Sequence, residues 1–188
     1  MIEGALVRLR PREPSDAEII LPWLNDPEVK RYLGGRYPWS LAAEQEWLRG
    51  RTSKPADFHE LSLLIETTDG RAIGTVGIGA ITPENREGTL GIMIGEKDCW
   101  SRGYGTDAIV ALLRFAFAEM NLHRVQLEVF ADNARGIACY RKCGFVEEAR
   151  LRQDRYRLGA RVDDLVMGIL KPEFEALHGL TPKEASDA

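Results

Sequence analysis

The chain has 188 residues, 44% of them hydrophobic, which is enough for one buried core and short for two. Its 25 lysines and arginines against 29 aspartates and glutamates leave a net charge of −4, so the overall field does not favour nucleic acid and any anion site must be local. No stretch reaches the roughly eighteen apolar residues of a membrane span, and Met1-Ile2-Glu3-Gly4 lacks a basic-then-apolar leader, so no membrane association and a cytoplasmic protein are expected.

Ala5 to Arg10 alternates closely enough for an opening strand that Pro11 and Pro14 end. Ser15-Asp16-Ala17-Glu18 has the form of a capping box ahead of Ile19, Ile20, Trp23 and Leu24 at helical spacing. Asp26-Pro27 then starts a short helical turn through Val29 and Tyr32, which Gly34-Gly35 stops. Ser40 is placed to cap a helix carrying Leu41, Glu44, Trp47 and Leu48. These pieces form a helical N-terminal flap that either shapes a pocket or covers the core.

From His59 the pattern turns extended. Leu61, Leu63 and Ile65 alternate, Asp69-Gly70 supplies a hairpin turn, and Ile73 to Ile81 returns antiparallel, with Gly77 and Gly79 thinning one face. After Pro83-Glu84-Asn85-Arg86 a strand from Thr89 to Ile94 puts Leu90, Ile92 and Ile94 on one face and Gly91, Met93 and Gly95 on the other.

The loop Trp100-Ser101-Arg102-Gly103-Tyr104-Gly105-Thr106 leads into a helix from about Tyr104 to Met120, whose buried stripe is Ile109, Leu112, Leu113, Ala116 and Phe117. Its glycines and the helix start expose backbone N–H groups, which reads as a pyrophosphate cradle. The strand Arg124 to Phe130 follows, so the strand–helix–strand order implies a parallel crossover. Asn133 is set to cap the next helix and Gly144 to end it, with Tyr140 about two turns in.

Val146 to Arg157 and Val162 to Leu170 read as a long hairpin around Leu158-Gly159-Ala160. Residues 1–172 are expected to form a single domain and 173–188 a loosely ordered tail. Of three cysteines, Cys139 and Cys143 lie four apart on a predicted helix, where a disulfide is geometrically poor and partner metal ligands are missing. They read as reduced core thiols.

The usual dinucleotide fingerprint and the usual nucleotide P-loop are both absent. What remains resembles the GNAT N-acetyltransferases, in particular their ribosomal-protein N-terminal (RimJ/RimL-like) and spermidine branch. The resemblance runs over roughly residues 5 to 171. It rests on Trp100 to Gly105, on Asn121-Leu122-His123-Arg124-Val125 and on Tyr140-Arg141-Lys142-Cys143-Gly144-Phe145. Trp23, Asn25 to Val29 and Arg31-Tyr32-Leu33 add to it.

The resemblance implies an α/β fold with a mixed, mostly antiparallel sheet of about seven strands, splayed in the middle and flanked by helices. It implies acetyl-CoA as donor, its pantetheine arm beside Ile92, Met93 and Ile94 and its pyrophosphate on Arg102, Gly103, Tyr104, Gly105 and Thr106. Asn133 matches a residue that touches the arm, and it serves equally as a helix cap. Tyr140 matches the tyrosine that donates a proton or hydrogen bond to the departing thiolate, the alternative being a packed core aromatic.

A backbone N–H near Met93 or Ile94 would polarise the carbonyl. The strand acid that many relatives use as base falls at Thr89, which cannot serve, so Glu87 is the candidate base, directly or through water, the alternative being an amine that loses its proton in free solution and needs no dedicated residue. Gly136 stands where relatives often have serine. The arginines 150, 152, 155, 157 and 161 read as either an anion-contacting patch or the solvated face of an edge hairpin. The reading is an N-acetyltransferase for a primary amine of a small molecule, polyamine or peptide, with a homodimer as a guess from paired edge strands. The alternative is a non-catalytic acyl-CoA-binding module.

Overall fold

The computed structural model describes residues 1–35, 37–52 and 60–180. One sheet of eight strands runs in the order β1-β2-β3-β4-β5-β6-β8-β7, one strand more than the expected seven. The extra strand is β1 (Ile2–Glu3), a two-residue edge that the hydrophobic pattern is too short to announce. The others are β2 (Val7–Pro11), β3 (Leu61–Thr67), β4 (Ala72–Thr82), β5 (Glu87–Ile94), β6 (Arg124–Phe130), β7 (Val146–Arg157) and β8 (Ala160–Leu170). His59 lies outside the described residues. The helices are α1 (Ala17–Asn25), α2 (Pro27–Lys30), α3 (Leu41–Thr52), α4 (Tyr104–Ala118), α5 (Ala134–Cys143) and α6 (Lys171–His178). Among the described residues no helix is long and apolar enough to cross a membrane.

Every neighbouring pair of strands is antiparallel except β5 and β6, which are parallel and joined by α4. That pair stays in register only from Glu87 opposite Arg124 to Thr89 opposite Gln126. Beyond it β5 remains bound to β4 as far as Ile94, and β6 remains bound to β8 as far as Phe130. The sheet is therefore two half-sheets hinged at one end, and the cleft between them runs about 16 Å along the five unpaired residues of β5.

Alternation along the strands divides the core in two. Val7, Leu9, Leu63, Ile65 and Leu90 face α4 and its stripe of Ile109, Leu112, Leu113, Ala116 and Phe117. Leu64 and Met93 face the flap, where they meet Ala17, Ile20, Trp23, Val29 and Leu48. The flap thus covers the core, as one of its two readings held. Gly95 is required here, since a Cβ would stand 2.1 Å from the Trp23 ring.

Local capping follows the sequence at most ends. Asp26 accepts from the N–H groups of Glu28 (2.8 Å) and Val29 (3.2 Å), Ser40 Oγ from Ala43 N–H at 3.1 Å, and Gly144 ends α5 at φ 101°. The start of α1 is different. A 3-10 turn over Pro14–Asp16 precedes it, and Asp16, not Ser15, supplies the carboxylate, accepting the Glu13 N–H at 2.7 Å and a two-pronged contact from Arg10 at 2.8 Å. The half-buried Arg10 thus holds the buried Asp16 at the start of the helix.

The C-terminal segment also departs from expectation. Residues 171–178 form α6, because Phe174 is fully buried against Phe117, ring centroids 5.3 Å apart, and Glu173 accepts the Leu170 N–H at 2.8 Å. The last eight residues of the expected tail, 181–188, lie outside the described residues.

Candidate active site

A cavity of about 550 Å³ opens where β5 and β6 part, lined by Ile92, Met93 and Ile94, by the start of α4 and by one face of α5. Gly95 N–H donates to Ile73 O at 2.8 Å, and Met93 pairs with Thr75 of β4. Strand alternation then turns the backbone groups of Ile92 and Ile94 toward the cleft. The Ile94 carbonyl indeed accepts from Trp100 Nε1, on the cleft side, at 2.8 Å. Of the two candidates for polarising a carbonyl, the free N–H is that of Ile94.

The glycine loop turns through Ser101 (φ 60°) and Gly103 (φ 91°) into α4, and no side chain caps the helix. Four N–H groups at such an end have no partner inside the helix, and the helix dipole adds partial positive charge. Gly103, Gly105 and Thr106 line the cavity, so an uncapped helix start faces it. That fits a pyrophosphate held without a metal. Arg102 and Tyr104 are not among the described lining residues: the Arg102 guanidinium donates to the Asp98 carbonyl (3.3 Å), and the Tyr104 ring packs on the core.

Across the cavity, Asn133 Oδ1 accepts the Gly136 N–H at 3.0 Å, which is the expected helix cap, and the residue also lines the site. A Cβ at Gly136 would stand 2.6 Å from the Asn133 side chain. The glycine therefore accommodates the cap, and a serine would displace it.

Tyr140 lines the cavity with its ring edge-on to Phe145 at 6.1 Å. Burial, with the neighbouring Cys139 and Cys143, pushes its phenol well above the usual range, so it stays protonated. Among the described residues its hydroxyl has no hydrogen-bond partner. Cys139 Sγ lies 3.4 Å from Thr106 Oγ1 and the Cys143 thiol 3.8 Å from the Thr106 carbonyl, so both pin α5 to the start of α4.

Glu87 is not brought to this cavity. It sits at the hinge end of β5, within 4.0 Å of Arg124 and near Asn85 (3.2 Å), about 16 Å of strand from Ile92. Proximity in sequence to Thr89 singled it out, but the cavity opens at the other end of β5.

Several lining residues escaped the sequence reading, and three of them stand out. Tyr32 comes from the flap, Cys139 sits one turn above Arg135, and the Arg135 guanidinium lies 3.7 Å over the Trp100 ring, bridging α5 to the loop. The four-residue spacing of Arg135 and Cys139 along α5 was the available signal for two of them.

A second cavity of about 330 Å³ lies on the flap side, lined by Arg12, Leu24, Lys30, Leu33, Gly35, Trp39, Trp47, Thr75, Ile92 and Met93. The two cavities share Leu33, Ile92 and Met93.

Residues 7–146 match the family model described as an acetyltransferase (GNAT) domain. The chain belongs to that family. It is an N-acetyltransferase, and its acetyl donor is acetyl-CoA. Among similar proteins, the uncharacterized N-acetyltransferase p20 of Bacillus licheniformis is 26% identical over 168 residues, covering 88% of this chain and 93% of that protein. The spermidine N(1)-acetyltransferase of Vibrio cholerae is 28% identical over 118 residues, covering 63% of this chain and 68% of that protein. The crystal structure of spermidine N-acetyltransferase from that organism, in complex with CoA and spermine, superposes with a TM-score of 0.81 at 26% identity, covering 91% of this chain and 99% of the other.

Proposed function

We propose that the acetyl group passes directly from acetyl-CoA in the larger cavity to a primary amine of a small molecule or peptide in the flap-side cavity. The observation that carries this reading is the junction of the two cavities at Leu33, Ile92 and Met93, with Tyr140 on the donor side. Acetyl-CoA supplies an acetyl group activated as a thioester. The backbone amides at 102–106 hold its pyrophosphate, and the cleft edge of β5 at Ile92 and Ile94 aligns the pantetheine arm together with Asn133.

The Ile94 N–H stabilises the developing oxyanion, and Tyr140 donates its O–H to the departing sulfur. The C–N bond forms as the C–S bond breaks, and the proton lost by the amine leaves to solvent while Tyr140 is reprotonated from it. Among the described residues no carboxylate lines either cavity. The amine accordingly enters neutral.

The Vibrio cholerae relative, by its name, acts on spermidine, which supports an amine acceptor here at the level of its class. The unpaired edge of β7, with Val146, Leu151 and Tyr156 exposed, supports the expected homodimer. Three of the five hairpin arginines are spent internally: Arg150 on Asp163 (2.8 Å), Arg155 on Asp164 (2.8 Å), and Arg157 on the Arg31 carbonyl. They favour the solvated-face reading over an anionic partner.

The test is free-thiol release from acetyl-CoA across N-terminal peptides, polyamines, amino sugars and aminoglycosides. Release with at least one amine class is expected. Absence of release with all of them, while calorimetry shows acetyl-CoA bound, would sink the proposal.

A further inference from the structure

We infer that Arg157 is a positioning residue for acetyl transfer: from the tip of the β7–β8 hairpin it ties the flap to the β6–β8–β7 half of the sheet and holds the open end of the cleft closed. The inference rests on the reading that the larger cavity takes acetyl-CoA.

Backbone pairing leaves this end of the molecule unfixed. The two half-sheets share register only from Glu87 to Thr89, and the flap packs on the β5 half, where Leu64 and Met93 meet Ile20, Trp23 and Val29. β8 pairs with β6 only as far as Asp164 opposite Phe130, so residues 160–163 and their partners on β7 overhang the open end. Arg157, opposite Ala160, is the last residue of β7 at that overhang.

From there the guanidinium spans the gap. It lies 4.7 Å over the Phe130 ring of β6 and 5.1 Å over the Tyr32 ring of the flap. It donates to the Arg31 carbonyl on the flap and to the Asp132 carboxylate, just past β6, at 3.4 Å. Tyr32 adds to the bridge from its own side: its hydroxyl donates to the Asp132 carbonyl at 3.4 Å, and its ring stands 6.5 Å from Phe130. The Arg157 side chain is only 15% exposed, so these contacts are made largely out of water, where cation–ring attraction is strongest.

The bridge bears on the chemistry through two adjacent residues. Tyr32 lines the larger cavity, and Leu33 lines both cavities where they join. Holding Tyr32 therefore fixes a wall of the donor site and the opening through which the amine arrives. Arg157 is not among the described lining residues of either cavity and acts through these two. A loosened bridge admits water in place of the amine: the C–O bond of acetate forms, the C–S bond breaks, and the water's two protons pass to the CoA thiolate and to solvent.

The experiment measures thiol release, with and without an accepted amine, for wild type, Arg157→Leu, Arg157→Lys, Tyr32→Leu and the double variant Arg157→Leu/Tyr32→Leu, beside calorimetric acetyl-CoA binding and thermal melts. In Arg157→Leu, kcat should fall about tenfold to a hundredfold, the cost of misplaced reacting groups, while amine-independent release rises relative to turnover. Arg157→Lys should restore little, because an ammonium cannot stack on both rings and reach both acceptors. Tyr32→Leu should show the same loss, and the double variant no more than either single one, since all break one bridge. Arg152→Leu, which removes the same charge from an exposed position of β7, should match wild type. Where Arg157→Leu fails to fold, Arg157→Lys and Tyr32→Leu carry the test from either side of the cleft.

Folded variants at both positions with kcat within about threefold of wild type and no rise in amine-independent release would overturn this inference and leave N-acetyl transfer standing. Additive losses in the double variant would do the same. No thiol release from the wild-type protein with any amine, despite bound acetyl-CoA, would overturn both.

Discussion

Replacing Tyr140 by phenylalanine removes one oxygen and leaves the ring in place against Phe145 at 6.1 Å. Among the described residues the hydroxyl has no hydrogen-bond partner, so the substitution orphans no buried group, and stability should hold or rise by up to about 1 kcal/mol. Catalysis should respond far more. A thiol of ordinary pKa near 8.5 leaves poorly as a bare thiolate, and a positioned acid contributes at least about a hundredfold, or roughly 2.7 kcal/mol of barrier. The expected result is a fall of that size in kcat, with little change in KM for acetyl-CoA, read by thiol release beside calorimetric acetyl-CoA binding and a thermal melt. Because burial raises the phenol above its unfolded value, the folded state keeps a proton that the unfolded state loses near pH 10. Stability should therefore decline as pH climbs past about 10, and Tyr140→Phe should flatten that decline. A kcat within about threefold of wild type, with the donor still bound, would refute the assignment of Tyr140 as the acid.

Further outcomes follow from particular contacts. At Gly105 a Cβ would meet Cys139 Sγ at 3.6 Å, an ordinary contact, so Gly105→Asp should fold and even favour the helix start. Its carboxylate would oppose a bound pyrophosphate and weaken acetyl-CoA by tenfold or more in calorimetry; unaltered affinity would contradict the cradle. At Gly74 a Cβ would lie 2.1 Å from the Met93 carbonyl, so Gly74→Ala must displace β5 and should cost roughly 2–3 kcal/mol in denaturant melts, together with activity. Arg10→Met strands Asp16, which is 4% exposed, and should cost about 3 kcal/mol or more. Burial works to raise the Asp16 carboxyl, yet the hydrogen bonds from Arg10 and the Glu13 N–H outweigh it and hold it below the usual range. Its stabilisation is present above an unfolded pKa near 3.9 and is lost as pH falls through the lower folded value, so acid melts should show the loss and Arg10→Met should abolish it.

Much of the architecture was legible because it is local. The stripe of α4, the caps at Asp26, Ser40 and Asn133 and the left-handed Gly144 each depend on residues within one turn, and each stands where the pattern put it. Ser15 failed as a cap because Arg10, on a neighbouring strand, takes hold of Asp16 instead. Phe174 read as part of a loose tail because its partner, Phe117, is far away in sequence.

The site divides along the same line. By itself the sequence pointed to the donor half: glycines beside a helix start and a capping asparagine are short-range features, while the roles expected of Asn133 toward the arm and of Tyr140 rest on the family resemblance. Only the tertiary structure decided the rest. The cleft exists because β5 and β6 keep different partners once their common register ends at Thr89, and the same divergence leaves Glu87 at the hinge and Ile94 at the open end. The second cavity joins Arg12, Lys30, Trp39, Trp47 and Thr75 from five separate segments. Strand register and helix docking are set by burial summed over the whole core, so no local pattern along the chain announces which charges will share that space.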